Sequence, residues 1–218
     1  MAAIVRVLEE AGQTLVLRDL GTHHELLLGQ VPILSSKALE TERGFGALAG
    51  SLELGPAPRV LIGGLGFGAT LGAALAALGP DAHVTVVEKL AAVVSIAREE
   101  LASIAPGALD DPRTELVVGD VSDEIEKRRD LDAILLDVDN GPGWASFRTN
   151  ARLYAAPGLA AAYEALRPGG VYAVWSGYPA DVFLGELRKA GFSPSIMLLR
   201  EKGIVRARAY VGRKSAAV

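Results

Sequence analysis

Near its start the chain alternates apolar and polar residues between turn-forming residues. This two-residue period over residues 4–34 is typical of half-buried strands and predicts two or three short antiparallel strands. The next residues space their apolar positions as a helix does, with Ser35 or Ser36 as the expected N-cap. The proline-containing segment 55–58 should end that helix. We therefore predict N-terminal β-strands with a linking helix over residues 1–55.

From residue 59 onward, short apolar runs alternate with helical stretches. Runs that are apolar at nearly every position are typical of strands covered on both faces of a parallel sheet. Because strands alternating with helices form right-handed βαβ units, we predict an α/β fold, a doubly wound Rossmann-like sheet over residues 56–218 that ends in an antiparallel hairpin. The predicted strands are RVLIGG, HVTVVE, TELVVGD, DAILLDVD and GVYAVWS, and the predicted helices span residues 67–79, 90–102, 122–129, 157–166 and about 180–190.

Composition narrows the class of protein. Of the 218 residues, 50% are hydrophobic and 22% are charged, which predicts one main folded domain. The formal net charge is -4 and the chain has no basic stripe, so we expect no nucleic-acid partner. The absence of cysteine excludes disulfides and cysteine nucleophiles, and no spacing typical of a metal site occurs. Without a signal peptide or a membrane-spanning apolar run, we predict a cytoplasmic protein.

A glycine-rich loop follows the first strand of the predicted sheet, at the edge where open α/β sheets bind ligands. Glycines allow the backbone to approach a ligand closely. The loop lacks the lysine of a P-loop, which argues against nucleoside triphosphates. Gly64, Gly66 and Ala69 match the dinucleotide spacing G-x-G-x-x-G/A, so a nicotinamide cofactor stays open at this point.

Acidic residues end the next three strands. Glu88, Asp120 and Asp137 should therefore meet at one sheet edge, where their oxygens could accept hydrogen bonds from a nucleoside with a cationic tail. A pyrophosphate would not favour so many carboxylates, because like charges repel. Acids after strands also cap helices, and Asp139 and Asn140 before Gly-Pro-Gly also suit a turn.

Five motifs together resemble the S-adenosylmethionine-dependent methyltransferase superfamily, and within it most of all the spermidine synthase branch of polyamine aminopropyltransferases. They are VLIGGLGFG, VTVVE, VVGD, AILLDVDNGPG and ALRPGGVYAVWS. The chain also has LETERGFGALA where that branch has a YHE-like helix. The resemblance covers most of the chain and implies that the donor is S-adenosyl-L-methionine or decarboxylated S-adenosylmethionine.

The resemblance also implies a role for each residue of the loop and the strand ends. Glu88 would hold the donor's ribose hydroxyls, Asp120 would face the adenine amino group, and Asp137 would lie near the sulfonium. The residues that would admit the donor's tail are Gly64, Gly66 and Gly68.

Two departures from the branch shape the expected reaction. Gly66 stands where the branch has the aspartate of GGGDGG, and in an ungapped alignment Asn140 stands where it has the catalytic aspartate. An amide cannot deprotonate an amine, although Asp139 could substitute if the loop shifts by one residue. No acidic amine pocket is evident downstream either. We therefore expect methyl transfer to a small molecule, with Asp139 and Asn140 as candidate catalytic residues, ahead of aminopropyl transfer.

The connection after the fourth strand is expected to form the wall of an acceptor site, although packing over the sheet edge explains its aromatic residues equally well. Two arginines there would favour an acidic acceptor. The residues concerned are Trp144, Phe147, Arg148, Asn150, Arg152 and Tyr154. An NAD-dependent oxidoreductase and a catalytically silent nucleoside-binding module remain as alternatives. Exposed strand edges in the N-terminal segment would suit a homodimer.

Overall fold

The computed structural model describes residues 2–138, 140–142 and 150–216, and it begins with a four-stranded antiparallel sheet. Its strands follow chain order and are β1 (Ala3–Glu10), β2 (Gln13–Asp19), β3 (His24–Leu28) and β4 (Val31–Ser35). Two or three strands were expected here. The fourth is hidden in the sequence because the run from Leu26 to Leu34 is almost wholly apolar, and only Gly29 and Gln30 separate β3 from β4.

The second sheet has seven strands in the order β10-β11-β9-β8-β5-β6-β7. The five strands from β9 to β7 run parallel, and β11 and β10 are antiparallel additions. This confirms the predicted α/β Rossmann-like fold with its C-terminal hairpin. The strands are β5 (Arg59–Gly63), β6 (His83–Glu88), β7 (Thr114–Val118), β8 (Leu131–Leu136), β9 (Leu166–Ser176), β10 (Ser193–Glu201) and β11 (Ile204–Arg213).

The helices alternate with these strands. They are α1 (Glu40–Ala47), α2 (Ala69–Ala77), α3 (Ala91–Arg98), α4 (Val121–Lys127), α5 (Ala151–Tyr154), α6 (Ala156–Ala165) and α7 (Phe183–Lys189), with 3-10 helices at Leu48–Ser51 and Ala102–Ile104. The prediction that Ser35 or Ser36 caps α1 is wrong. Ser35 closes β4, and the Ser36 hydroxyl accepts a hydrogen bond from the His24 N–H (2.8 Å), so α1 begins only at Glu40. No helix in the described part of the chain is long and apolar enough to span a membrane.

The large sheet is covered on both faces. Val60 and Ile62 of β5 point into a core shared with α1, α2 and α3, whereas Leu61 between them points into a core shared with α4, α6 and α7. A third apolar cluster joins the four-stranded sheet to α3 and to Phe67 of the glycine-rich loop. The small sheet therefore lies over the ligand-binding edge of the large one. The division at residue 55 stays a prediction.

The start of α1 is bonded to the tip of the β10–β11 hairpin. The Glu40 N–H donates to Glu201 Oε2 (3.0 Å), and the Lys202 N–H donates to Glu40 Oε2 (2.7 Å). Lys202 and Gly203 form the two-residue turn with φ of 50° and 80°, the left-handed values of a type I′ turn. The C-terminal hairpin thus helps to fix the position of α1.

Candidate active site

A cavity of about 360 Å³ opens at the carboxyl ends of β5, β6, β7 and β8. Its position beside β5 and β8 is the point where the strand order reverses, which is where open α/β sheets bind ligands. The glycine-rich loop and the strand ends form one side, and β4 and α1 form the other. Predicted site residues that line the cavity are Gly64, Gly66, Glu88, Asp120, Asp137, Asn140 and Asn150.

Glu88 ends β6 and is held by the backbone. Its Oε2 accepts the Leu65 N–H (3.0 Å) and its Oε1 accepts the Leu90 N–H (2.9 Å). Burial raises the pKa of Glu88, and these backbone bonds act in the opposite direction. The backbone N–H groups of Gly66 and Lys89 also act on this carboxyl group and lower its pKa. Glu88 lines the cavity, and its ribose contact stays a prediction.

Asp120 is both a helix cap and a residue of the cavity wall. Its Oδ1 accepts the Ser122 N–H (3.0 Å) at the start of α4, and Lys89 Nζ lies 3.2 Å from Oδ2. Arg152 pairs with Oδ1 at 3.0 Å. Although burial raises the pKa of Asp120, these donors outweigh it and the pKa is lowered, so the carboxylate is charged at neutral pH. Asp120 therefore has the cap role weighed from the sequence and also lines the cavity, where its contact with a ligand stays a prediction.

Asp137 follows β8, and hydrogen-bond donors do little to offset the burial of its carboxyl group. Its Oδ2 accepts the Thr70 hydroxyl (2.5 Å). Burial raises its pKa to about 6, against the effect of the Thr70 bond. The expectation that Asp137 lies in the same cavity as the glycine-rich loop agrees with its position here.

Glu42 of α1 is the residue that sequence reasoning missed. It lines the same cavity, and burial followed by the nearby charge of Asp137 raises its pKa to about 9, with Arg43 acting in the opposite direction. Its only signal in the sequence was its place in the helix that resembles the branch's YHE-like segment. Other lining residues that were not predicted are Lys37, Thr41, Trp175 and Arg206.

The three predicted loop glycines have different reasons for lacking a side chain. A Cβ on Gly64 would collide with the carbonyl oxygen of Asp137, so this glycine allows β5 and β8 to end close together. Gly68 is the N-cap of α2 with φ of 91°, and it is not among the residues that line the cavity. A Cβ on Gly66 would meet only Leu34, at 3.7 Å, so open space lies beside it. Of the three, Gly66 is the one that lines the cavity and has room beside it for a side chain.

The expected acceptor wall is only partly assembled by the described residues. Asn150 is buried and lines the cavity. Arg152 instead pairs with Asp120 and with Asp123 (3.2 Å), and Tyr154 is buried in the core with its ring edge-on to Phe183. Neither Arg152 nor Tyr154 lines the cavity. The predicted residues Asp139, Trp144, Phe147 and Arg148 lie outside the described residues.

Two curated relatives match this chain, each over about half of its length. It is 38% identical over 120 residues to polyamine aminopropyltransferase 2 of Pseudomonas aeruginosa, a match covering 53% of this chain and 32% of the relative. It is 36% identical over 117 residues to polyamine aminopropyltransferase 2 of Hyperthermus butylicus, covering 51% of this chain and 36% of the relative. The matched stretch thus spans about a third of these curated relatives. No family model matches the chain.

Solved structures with the same fold cover nearly the whole chain. Spermidine synthase from Thermotoga maritima has a TM-score of 0.76 at 20% identity, covering 98% of this chain and 74% of that one. Spermidine synthase in complex with the transition state analogue AdoDATO has a TM-score of 0.75 at 19% identity, covering 98% and 73%. A probable spermidine synthase from Corynebacterium glutamicum has a TM-score of 0.66 at 17% identity, covering 97% and 80%. The chain therefore has the methyltransferase-like fold of the spermidine synthases and shares sequence with polyamine aminopropyltransferases, which confirms the resemblance found in its motifs.

Proposed function

We propose that this protein is a transferase that uses a donor with an adenosyl sulfonium group. The supporting observation is that Glu88, Asp120 and Asp137 share one cavity with the glycine-rich loop, in the order in which the strands deliver them. Glu88 would accept the ribose hydroxyls, Asp120 the adenine amino group, and Asp137 would face the cationic end. The cavity suits a ligand of this kind because apolar residues such as Leu34, Val87 and Val93 line it together with carboxyl groups that can accept hydrogen bonds.

Of the two reactions considered from the sequence, we propose aminopropyl transfer from decarboxylated S-adenosylmethionine to an amine. Methyl transfer was expected first because of Gly66, Asn140 and the lack of an evident acidic amine pocket downstream. Glu42 and Asp137 supply a pair of carboxyl groups in the cavity, which suits the ammonium-bearing tail of the decarboxylated donor. The matched relatives are named as aminopropyltransferases, and one structural neighbour holds AdoDATO, which also favours this choice.

When bound, the donor supplies a carbon already activated by positively charged sulfur. The amine nitrogen forms a bond to that carbon while the carbon–sulfur bond breaks and its electron pair returns to sulfur, leaving a neutral thioether. The residues of this chain then have to align the acceptor, exclude water and take one proton from the nitrogen. Asn140 lines the cavity but its amide cannot take that proton, so Asp139 remains the proposed acceptor.

To test the reaction, the protein is incubated separately with each donor and a panel of small amines and acids. The masses of the products are then measured by mass spectrometry. A gain of one aminopropyl group on an amine, with the decarboxylated donor alone, is the expected result. A gain of one methyl group would establish methyl transfer instead.

A second experiment, calorimetry with NAD as competitor, tests the oxidoreductase alternative. We expect NAD to bind more weakly than 5′-methylthioadenosine, the thioether product. A small-molecule acceptor and a homodimer stay predictions.

A further inference from the structure

Glu42 and Asp137 lie in one cavity, and among the described residues no salt bridge joins either of them to a cation, although Lys37 and Arg206 also line this cavity. The Thr70 hydroxyl donates to Asp137, and within the described part of the chain no hydrogen bond reaches the Glu42 carboxyl group. The charges that act on Glu42 are those of Asp137, Arg43 and Glu201, two of them negative. Two carboxyl groups placed together cost free energy unless a proton or a cation lies between them.

The glycine-rich loop lacks a carboxylate of its own at this place. Gly66 occupies the position of the aspartate in GGGDGG, and the space beside it is open. Glu42 of α1 lines the same cavity. It therefore supplies a carboxyl group to a cavity whose glycine-rich loop has none.

We propose that Glu42 and Asp137 together bind the primary ammonium group on the donor's tail, and that Glu42 makes the site select the decarboxylated donor. The proposal rests on the proposed function. Decarboxylated S-adenosylmethionine ends in an ammonium group alone, which can take the place of the proton that Glu42 holds without ligand and is then attracted by both carboxylates. S-adenosylmethionine carries a carboxylate on the same carbon as its ammonium, and this group would be repelled by them.

The test compares three ligands by calorimetry: decarboxylated S-adenosylmethionine, S-adenosylmethionine and 5′-methylthioadenosine, which has no charged tail. We expect the wild type to prefer the decarboxylated donor. Glu42→Gln, which keeps the shape but removes the charge, should weaken binding of that donor about tenfold, the usual effect of losing one charged hydrogen bond. Its affinity for 5′-methylthioadenosine should stay within about twofold of wild type. Glu164→Gln, an exposed change of equal charge on α6, is the matched control and should change neither affinity.

A double variant removes the carboxylate of Glu42 and places a new one in the glycine-rich loop at position 66. Because only Leu34 borders the space beside Gly66, Gly66→Asp should be accommodated, and aspartate tolerates the positive φ of 51° better than most residues. Glu42→Gln with Gly66→Asp should regain most of the preference for the decarboxylated donor. If this double variant still binds 5′-methylthioadenosine but regains none of the preference, the placement of the tail beside Gly66 is overturned.

The outcomes separate this inference from the proposed function. Wild-type protein that fails to bind 5′-methylthioadenosine overturns both. Wild-type protein that binds it, together with a Glu42→Gln variant that keeps the full preference for the decarboxylated donor, overturns only the role of Glu42.

Discussion

The two ends of the cavity hold their carboxyl groups in different ways. At the end proposed to hold adenosine (the adenosine end), Glu88 and Asp120 accept backbone N–H groups, and Asp120 also has Arg152 and Lys89 beside it. At the end proposed to hold the donor's tail (the tail end), Asp137 has one hydroxyl donor, and Glu42 has none in the described part of the chain. The first end is complete before a ligand arrives, whereas the second is suited to a cation that the ligand would bring.

The largest effect should come from the adenosine end. Glu88→Ala removes the expected ribose contacts and leaves the N–H groups of Leu65 and Leu90 without their acceptor. We expect binding of 5′-methylthioadenosine to weaken by about 2 to 3 kcal/mol, measured by calorimetry, because the hydrogen bonds from the ribose hydroxyls to a carboxylate are lost. Glu164→Ala serves as the control. Unchanged affinity in a folded Glu88→Ala variant would remove the ribose assignment.

Asp120 allows its cap role to be separated from ligand binding. In Asp120→Asn the amide oxygen can still accept the Ser122 N–H, which turns the NH₂ group toward the expected adenine amino group. We expect donor binding to weaken by about 1 to 2 kcal/mol while the free energy of unfolding changes little. Asp120→Ala should weaken binding similarly and also lower the free energy of unfolding by about 1 kcal/mol through loss of the cap. An Asp120→Asn variant with full affinity would show that adenine lies elsewhere.

The smallest expected effect is the pH dependence that Glu42 gives to the free energy of unfolding of the ligand-free protein. The pKa of Glu42 is raised to about 9 from 4.5, so the folded protein keeps a proton that the unfolded chain releases. Stability from this group is full below pH 4.5 and is lost as pH rises through about 9. We expect the free energy of unfolding to fall by about 1 kcal/mol between neutral pH and that value, because partial exposure reduces the effect.

Glu42→Gln should flatten this pH dependence in denaturant unfolding, while Glu164→Gln should keep it. The titratable and charged neighbours of Glu42 are Asp137, Arg43 and Glu201. The pKa of Asp137 is about 6, below the interval from neutral pH to about 9 over which the slope is compared. A wild-type slope in Glu42→Gln would show that another group carries the dependence.

The positions of Glu88 and Asp120 at the cavity could be predicted from the sequence, because Glu88 is the last residue of β6 and Asp120 comes two residues after β7. The parallel arrangement of those strands then fixes the edge at which Glu88 and Asp120 meet. Glu42 could not be predicted, because Glu40 and Arg43 beside it give the run ETER the composition of a solvated helix face. Only the packing of α1 against the large sheet places it in the cavity.

Arg152 and Tyr154 were predicted at the acceptor site, but the type of these residues alone did not determine their role. Their types suited an acceptor site, but charge and ring surface are equally useful for pairing and for core packing. Arg152 satisfies Asp120 and Asp123, and Tyr154 packs beside Phe183. Which use applies depends on neighbours that are distant in the chain, and a single sequence does not list them.

The paired bonds between Glu40 and the hairpin tip carry a consequence for how this protein could diversify. They tie the helix that bears Glu42 to residues more than 150 positions later in the chain. A substitution at Glu201, or a longer turn in place of Lys202 and Gly203, would shift that helix and with it the tail end of the cavity. Donor choice could therefore be retuned from the outer edge of the molecule while every residue in contact with the donor stays the same.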